Sequence, residues 1–126
     1  MKNIEQTYKI KAPINKVWQA LVDPTVIEQW GGGPAKMSSR EGSKFSLWGG
    51  DIHGTNTKIV DNKVLEQNWF SGDWVEASEV KFELSSDGDT TIVKLTHTNV
   101  PESDSKDIDQ GWKDYYLNAI KELLES

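Results

Sequence analysis

The chain has 126 residues, 36% of them hydrophobic, which suffices for one sizeable core and fits a single domain over residues 1–126. It has no cysteine, which excludes disulfides, thiolate metal sites and thiol nucleophiles. The net charge of −6, with no basic stripe to neutralise phosphates, argues against nucleic acid as a partner, and no apolar run is long enough to cross a bilayer.

The charge is uneven. Residues 102–126 carry 7 acidic and 3 basic side chains, whereas residues 1–101 carry 13 and 11. The first ten residues, MKNIEQTYKI, have no apolar signal core, so a cytoplasmic protein is expected; separately, a monomer is expected. The six tryptophans (Trp18, Trp30, Trp48, Trp69, Trp74 and Trp112) are large amphipathic rings that prefer burial with the N–H paired. Most are expected in the core, with one or two on a pocket or partner surface.

In chain order, residues 3–11 alternate Ile4, Gln6, Tyr8 and Ile10 against polar neighbours, which predicts a strand. Ala12-Pro13 stops it. Ile14, Val17, Trp18 and Leu21 then share one helical face, predicting a helix to about Val22. Asp23-Pro24 suits an N-cap and first helical residue, opening a second short helix to about Gln29. Gly31-Gly32-Gly33-Pro34 ends it.

From residue 44 the period becomes two. Phe45 and Leu47 lead to a Gly49-Gly50 turn, Ile52–Ile59 reads as a strand, and Asp61-Asn62 turns into the strand holding Leu65 and Trp69. Residues 70–73 turn again. Val80, Phe82 and Leu84 share one face of a longer strand, Asp87-Gly88 signals a hairpin, and Thr91, Val93, Leu95 and His97 share a face of the next strand, which ends at Asn99-Val100-Pro101. Asp104 with Asp107 approximates a capping box, and Ile108, Trp112, Tyr115, Tyr116, Ala119, Ile120 and Leu123 mark one long amphipathic helix over 104–124. An antiparallel sheet with one apolar face needs a cover, and this helix is long enough to supply it. The expected fold is α+β: a curved antiparallel sheet wrapped around a long C-terminal helix, with two short helices after the first strand.

The local sequence is similar to a known family. Ala12-Pro13-Ile14, Val17-Trp18, Ala20-Leu21, Asp23-Pro24 and Trp30 resemble its opening; Gly42-Ser43-Lys44-Phe45 and Gly50-Asp51-Ile52-His53-Gly54 its central strands, followed by Trp69; Val100-Pro101, Gly111-Trp112-Lys113-Asp114-Tyr115-Tyr116 and Ile120-Lys121 its end. In this order they resemble the C-terminal domain of activators of the heat-shock protein 90 ATPase, within the START/Bet v 1-like (SRPBCC) superfamily of helix-grip folds. The resemblance implies a co-chaperone-like binding module with a heat-shock protein 90 type partner. Full activators carry a separate N-terminal domain, of which these residues hold no counterpart.

Helix-grip folds also imply a cavity between sheet and helix. Its candidate walls are the inward residues Leu47, Ile52, Leu65, Trp69, Phe82, Val93, Leu95 and His97, with Trp112 and Tyr116 from the helix. Trp112 and Tyr116 fit either core packing or such a wall. His97 fits either a hydrogen-bonded core histidine or a ligand-binding group, and His53, in the opposite register to Ile52, is expected to face solvent. No residues have metal-ligand spacing, no Gly-x-Ser-x-Gly elbow is present, and Gly31-Gly32-Gly33 lacks the continuation of a phosphate loop, so neither cofactor nor metal is expected. Three functions remain, in this order: a protein-binding module, a carrier of a small hydrophobic ligand, and a cyclase-like enzyme.

Overall fold

The computed structural model describes all residues from Met1 to Ser126. The period-two segments form one six-stranded antiparallel sheet: β1 (Lys2–Ile10), β2 (Lys44–Leu47), β3 (Ile52–Val60), β4 (Val64–Ser71), β5 (Ser78–Asp87) and β6 (Thr90–Val100), in spatial order β1-β6-β5-β4-β3-β2. Its register puts Thr91, Val93, Leu95 and His97 on one covered face, all fully buried, with Phe82 opposite Leu95 and Leu84 opposite Val93. This is the α+β helix-grip arrangement. A shift between Asn56 and Lys58 bulges β3, and Asn68 Oδ1 accepts from Thr55 N at 2.8 Å beside it. A Cβ on Gly54 would meet the Asn68 carbonyl oxygen at 2.0 Å, so only glycine fits that approach.

The helices α1 (Ile14–Val22) and α2 (Pro24–Trp30) start and stop where their residues dictate. Asp23 Oδ1 accepts from Thr25 N at 2.9 Å, Pro24 opens α2, and Gly31 ends it in the left-handed conformation at φ 103°. Trp30 Nε1 donates to Ala20 O at 2.8 Å and ties the pair together. His53 lies on the outer face as expected, its ring stacked on the cross-strand Phe70 at 5.0 Å.

The C-terminal helix differs from expectation in three respects. It begins at Ser105, after a short 3-10 turn over Glu102–Asp104, and reaches Glu125. The Asp104/Asp107 capping box does not form: the Asp104 carboxylate accepts instead from Trp74 Nε1 at 2.8 Å, a partner brought in by the β4–β5 loop. Third, the helix is α-helical over α3 (Ser105–Gly111), widens to a π-helix over Trp112–Leu117 and resumes as α4 (Asn118–Glu125) with right-handed dihedrals at both junctions. The wider turn accommodates an extra residue, so Tyr116 and Leu117 are both buried while Tyr115 points outward, 69% exposed. Trp112 and Ile120 are buried as expected; Leu123, expected to be largely buried, is only half-buried near the helix end.

The covered face, the helices and the inner side chains of β2 and β3 form one cluster of 26 buried hydrophobic residues. Trp18, Trp30, Trp69 and Trp112 belong to it, whereas Trp48 and Trp74 pack only partly against it. Five polar side chains are also buried, Asn56, Gln67, Ser78, Thr91 and His97; among them Asn56 donates to Ser43 Oγ at 3.1 Å and accepts from Gln67 Nε2 at 2.9 Å, anchoring the 38–43 loop to the sheet.

Candidate functional site

At one end of the gripped helix the core is incompletely covered, leaving a cleft of about 250 Å³. One wall is the turn after β2, where Trp48 adopts φ 50°, uncommon for a bulky residue. The conformation is held by backbone bonds from Trp48 N to Gly32 O (2.8 Å) and from Gly49 N to Pro34 O (3.0 Å). It sets the indole edge-on to Trp30 (5.9 Å, 72°) and Tyr116 (6.0 Å, 70°). The floor is Ile52, Trp69, Trp112 and Tyr116, with Trp69 and Trp112 stacked at 5.3 Å. The other wall is the helix, through Ile108, Gly111 and Tyr115, and the remaining lining residues are the exposed Asp51 and Asp107. No basic side chain lines the cleft.

Behind this floor sits His97. Its Nδ1 accepts from Trp112 Nε1 at 3.0 Å. Ser78 Oγ donates to Trp69 O at 2.7 Å, so its contact with His97 Nε2 at 2.8 Å makes Nε2–H the donor there. The ring is fully buried, and burial pushes its pKa down to about 3. His97 therefore has both ring nitrogens hydrogen-bonded within the core. Burial also raises the Tyr116 hydroxyl well above its ordinary range. That hydroxyl and Trp69 Nε1 are buried without a hydrogen-bond partner, although both side chains line the cleft.

Of the ten residues expected around a cavity, Ile52, Trp69, Trp112 and Tyr116 line the cleft. Leu47, Leu65, Phe82, Val93, Leu95 and His97 lie deeper, each fully buried. The physical reason is the aromatic stack: Trp112 lies within 5.7 Å of Phe82 and 4.5 Å of Tyr116, filling the space beneath the helix and leaving room only at its end. Trp48, Asp51, Asp107, Ile108, Gly111 and Tyr115 also line the cleft, and the sequence reading did not single them out for it. The Gly49-Gly50 pair beside Trp48 signalled only a turn. No group of three or more His, Asp or Glu is placed to hold a metal ion.

Gly111 is informative. It has helical dihedrals (φ −62°), and no heavy atom lies within 4 Å of where its Cβ would be. Glycine inside a helix costs about 0.5–1 kcal/mol relative to alanine. Gly111→Ala is therefore expected to stabilise the protein by about 0.5–1 kcal/mol in urea unfolding.

A curved antiparallel sheet gripping a C-terminal helix, with two short helices after the first strand and an aromatic cleft at one end, defines a helix-grip domain. The chain belongs to the family of activator of Hsp90 ATPase homolog 1-like proteins, whose sequence model matches residues 11–125. An activator of 90 kDa heat shock protein ATPase homolog from Dictyostelium discoideum is 34% identical over 88 residues, covering 68% of this chain and 23% of that protein. An HSP90 activator from Plasmodium falciparum superposes with a TM-score of 0.90 at 28% identity, covering 99% of this chain and 97% of that one. The Aha1 dimer from Colwellia psychrerythraea gives 0.85 at 26% identity, with 99% and 97% covered. The chain spans 23–37% of the length of the curated relatives it matches. No helix is long and apolar enough to cross a membrane.

Proposed function

We propose that this chain is a non-enzymatic binding domain that docks onto a 90-kDa heat-shock type ATPase chaperone. The observation that carries this reading is the whole-chain likeness to an HSP90 activator, at a TM-score of 0.90 with nearly all of both chains covered. The engagement of both ring nitrogens of His97 in hydrogen bonds inside the core supports the non-enzymatic part. Charge supports complementarity with a basic surface, since the chain carries −6 and residues 102–126 hold 7 acidic against 3 basic side chains.

The expected result is weak, salt-sensitive binding with at most modest stimulation of ATP turnover. Screening weakens contacts between exposed charges as the Debye length shrinks to about 8 Å at physiological ionic strength. A two-domain activator gains effective concentration from its second contact, which this domain alone does not provide. The assay is ATP turnover by the source organism's chaperone with and without this protein, at low and physiological salt. No binding at low salt, with nucleotide-closed chaperone in excess, would sink the reading.

One observation favours a second reading, a carrier of a small apolar ligand: an aromatic cleft of about 250 Å³ with two unpaired polar atoms on its lining side chains. Ligand pockets are commonly ~300–1,000 Å³, so the cleft suits a small guest.

A further inference from the structure

Three independent features converge on the end cleft. Gly111 leaves open a volume that alanine would enter at no steric cost, in a helix that alanine would favour. Trp48 is held at positive φ by two backbone hydrogen bonds, which fixes an aromatic wall in place. Trp69 Nε1 and the Tyr116 hydroxyl, on residues only 3% and 2% exposed, have no partner within the protein. Buried polar groups are almost always paired, and these two stand on residues that line the cleft although the atoms themselves are closed off from solvent. The helical wall is also the π-helical turn, a form of helix found disproportionately at functional sites.

The chemistry of the lining selects the guest. Five of its side chains are aromatic, and their faces are electron-rich. The two charged lining residues are both acidic, Asp51 and Asp107, exposed at the cleft. With no cation nearby, a carboxylate or phosphate ligand would lose its hydration with nothing in return. A protonated amine gains from both the ring faces and the carboxylates. As to size, a cavity of roughly 150 Å³ holds a benzene, so about 250 Å³ suits a fused bicyclic ring.

The geometry points to a small flat aromatic amine, bound as its cation, as the ligand class of this cleft. This rests on the carrier reading above and narrows it. The ring stacks among Trp48, Trp69 and Trp112, and the ammonium group lies toward Asp51 and Asp107.

The test uses three probes with the same indole ring: tryptamine (cation), tryptophol (neutral) and indole-3-propionate (anion). Each is titrated into ¹⁵N-labelled protein, following the Gly111 amide and the indole N–H signals of Trp48, Trp69 and Trp112. Tryptamine is expected to shift these signals and to bind roughly tenfold more tightly than tryptophol, with indole-3-propionate weakest. Asp51→Asn with Asp107→Asn should bring tryptamine down to the affinity of tryptophol. Gly111→Leu, whose Cβ would meet no heavy atom within 4 Å, should abolish the shifts, with its melting temperature measured alongside to show that it is folded. Equal or stronger binding of tryptophol or indole-3-propionate would overturn the amine assignment and leave the carrier reading standing. No shift with any of the three would overturn both.

Discussion

Trp112→Ala is expected to lower the stability of the protein by about 3–5 kcal/mol, the range for a large aromatic deleted from a core. Trp112 is 2% exposed and lies against Trp69, Phe82, His97 and Tyr116 at ring separations of 4.5–5.7 Å. These partners come from β4, β5, β6 and the helix itself, so they cannot collapse together into the void. Its Nε1–H is also the donor to His97 Nδ1, which would be left buried and unpaired. In thermal unfolding the loss should read as a drop of roughly 10–20 °C. Tyr115→Ala, on the same π-helical turn but 69% exposed, should stay within about 0.5 kcal/mol of wild type. A Trp112→Ala protein that melts within a degree of wild type would contradict the packing described here.

Stability should also fall on mild acidification, because of His97. The unfolded histidine takes up a proton near its ordinary pKa of about 6.5. The folded one resists protonation until about pH 3, for burial disfavours the charged ring. Its protonation would also turn Nδ1 from an acceptor into a donor facing the Trp112 N–H. Between those two values the unfolded state binds the extra proton, so unfolding becomes easier as pH falls and stability is fully present only above about 6.5. At about 1.4 kcal/mol per pH unit, His97 should account for about 2 kcal/mol lost between pH 6.5 and 5, a window in which most carboxylates remain ionised. The measurement is urea unfolding across that window for wild type and His97→Asn. The difference between their pH slopes isolates the histidine, and parallel slopes would show that the ring is not held neutral by the fold.

Much of the architecture was legible from short-range pattern. The alternation in residues 3–11 and 80–97 identified the inward faces of β1, β5 and β6, because a pleated strand turns successive side chains to opposite sides. Asp23-Pro24 and Gly31 marked the ends of α2 through the cap chemistry that any helix terminus requires. The inward register of His97 correctly placed it under the helix. The Asp104/Asp107 pairing misled for a physical reason: a carboxylate accepts from whichever donor approaches it best, and the Trp74 indole arrives from a loop 30 residues away.

The strands, their faces, the gripped helix and the family thus follow from local periodicity, cap chemistry and motif order. These properties depend on neighbouring residues and survive without any long-range contact. The position and character of the cleft do not. Its residues come from three separate parts of the chain: the turn at Trp48 with the adjoining start of β3, the end of β4 at Trp69, and the helix from Asp107 to Tyr116. Whether an inward residue lines a cavity or fills it depends on the volumes of partners brought from elsewhere in the chain. Here Trp69, Phe82 and Trp112 filled the space beneath the helix, the π-helical turn moved Tyr115 outward and Leu117 inward, and Gly111 left the remaining opening at the helix end. Close packing is a property of the assembled core, so it was in the three-dimensional arrangement of these side chains that the site took its shape.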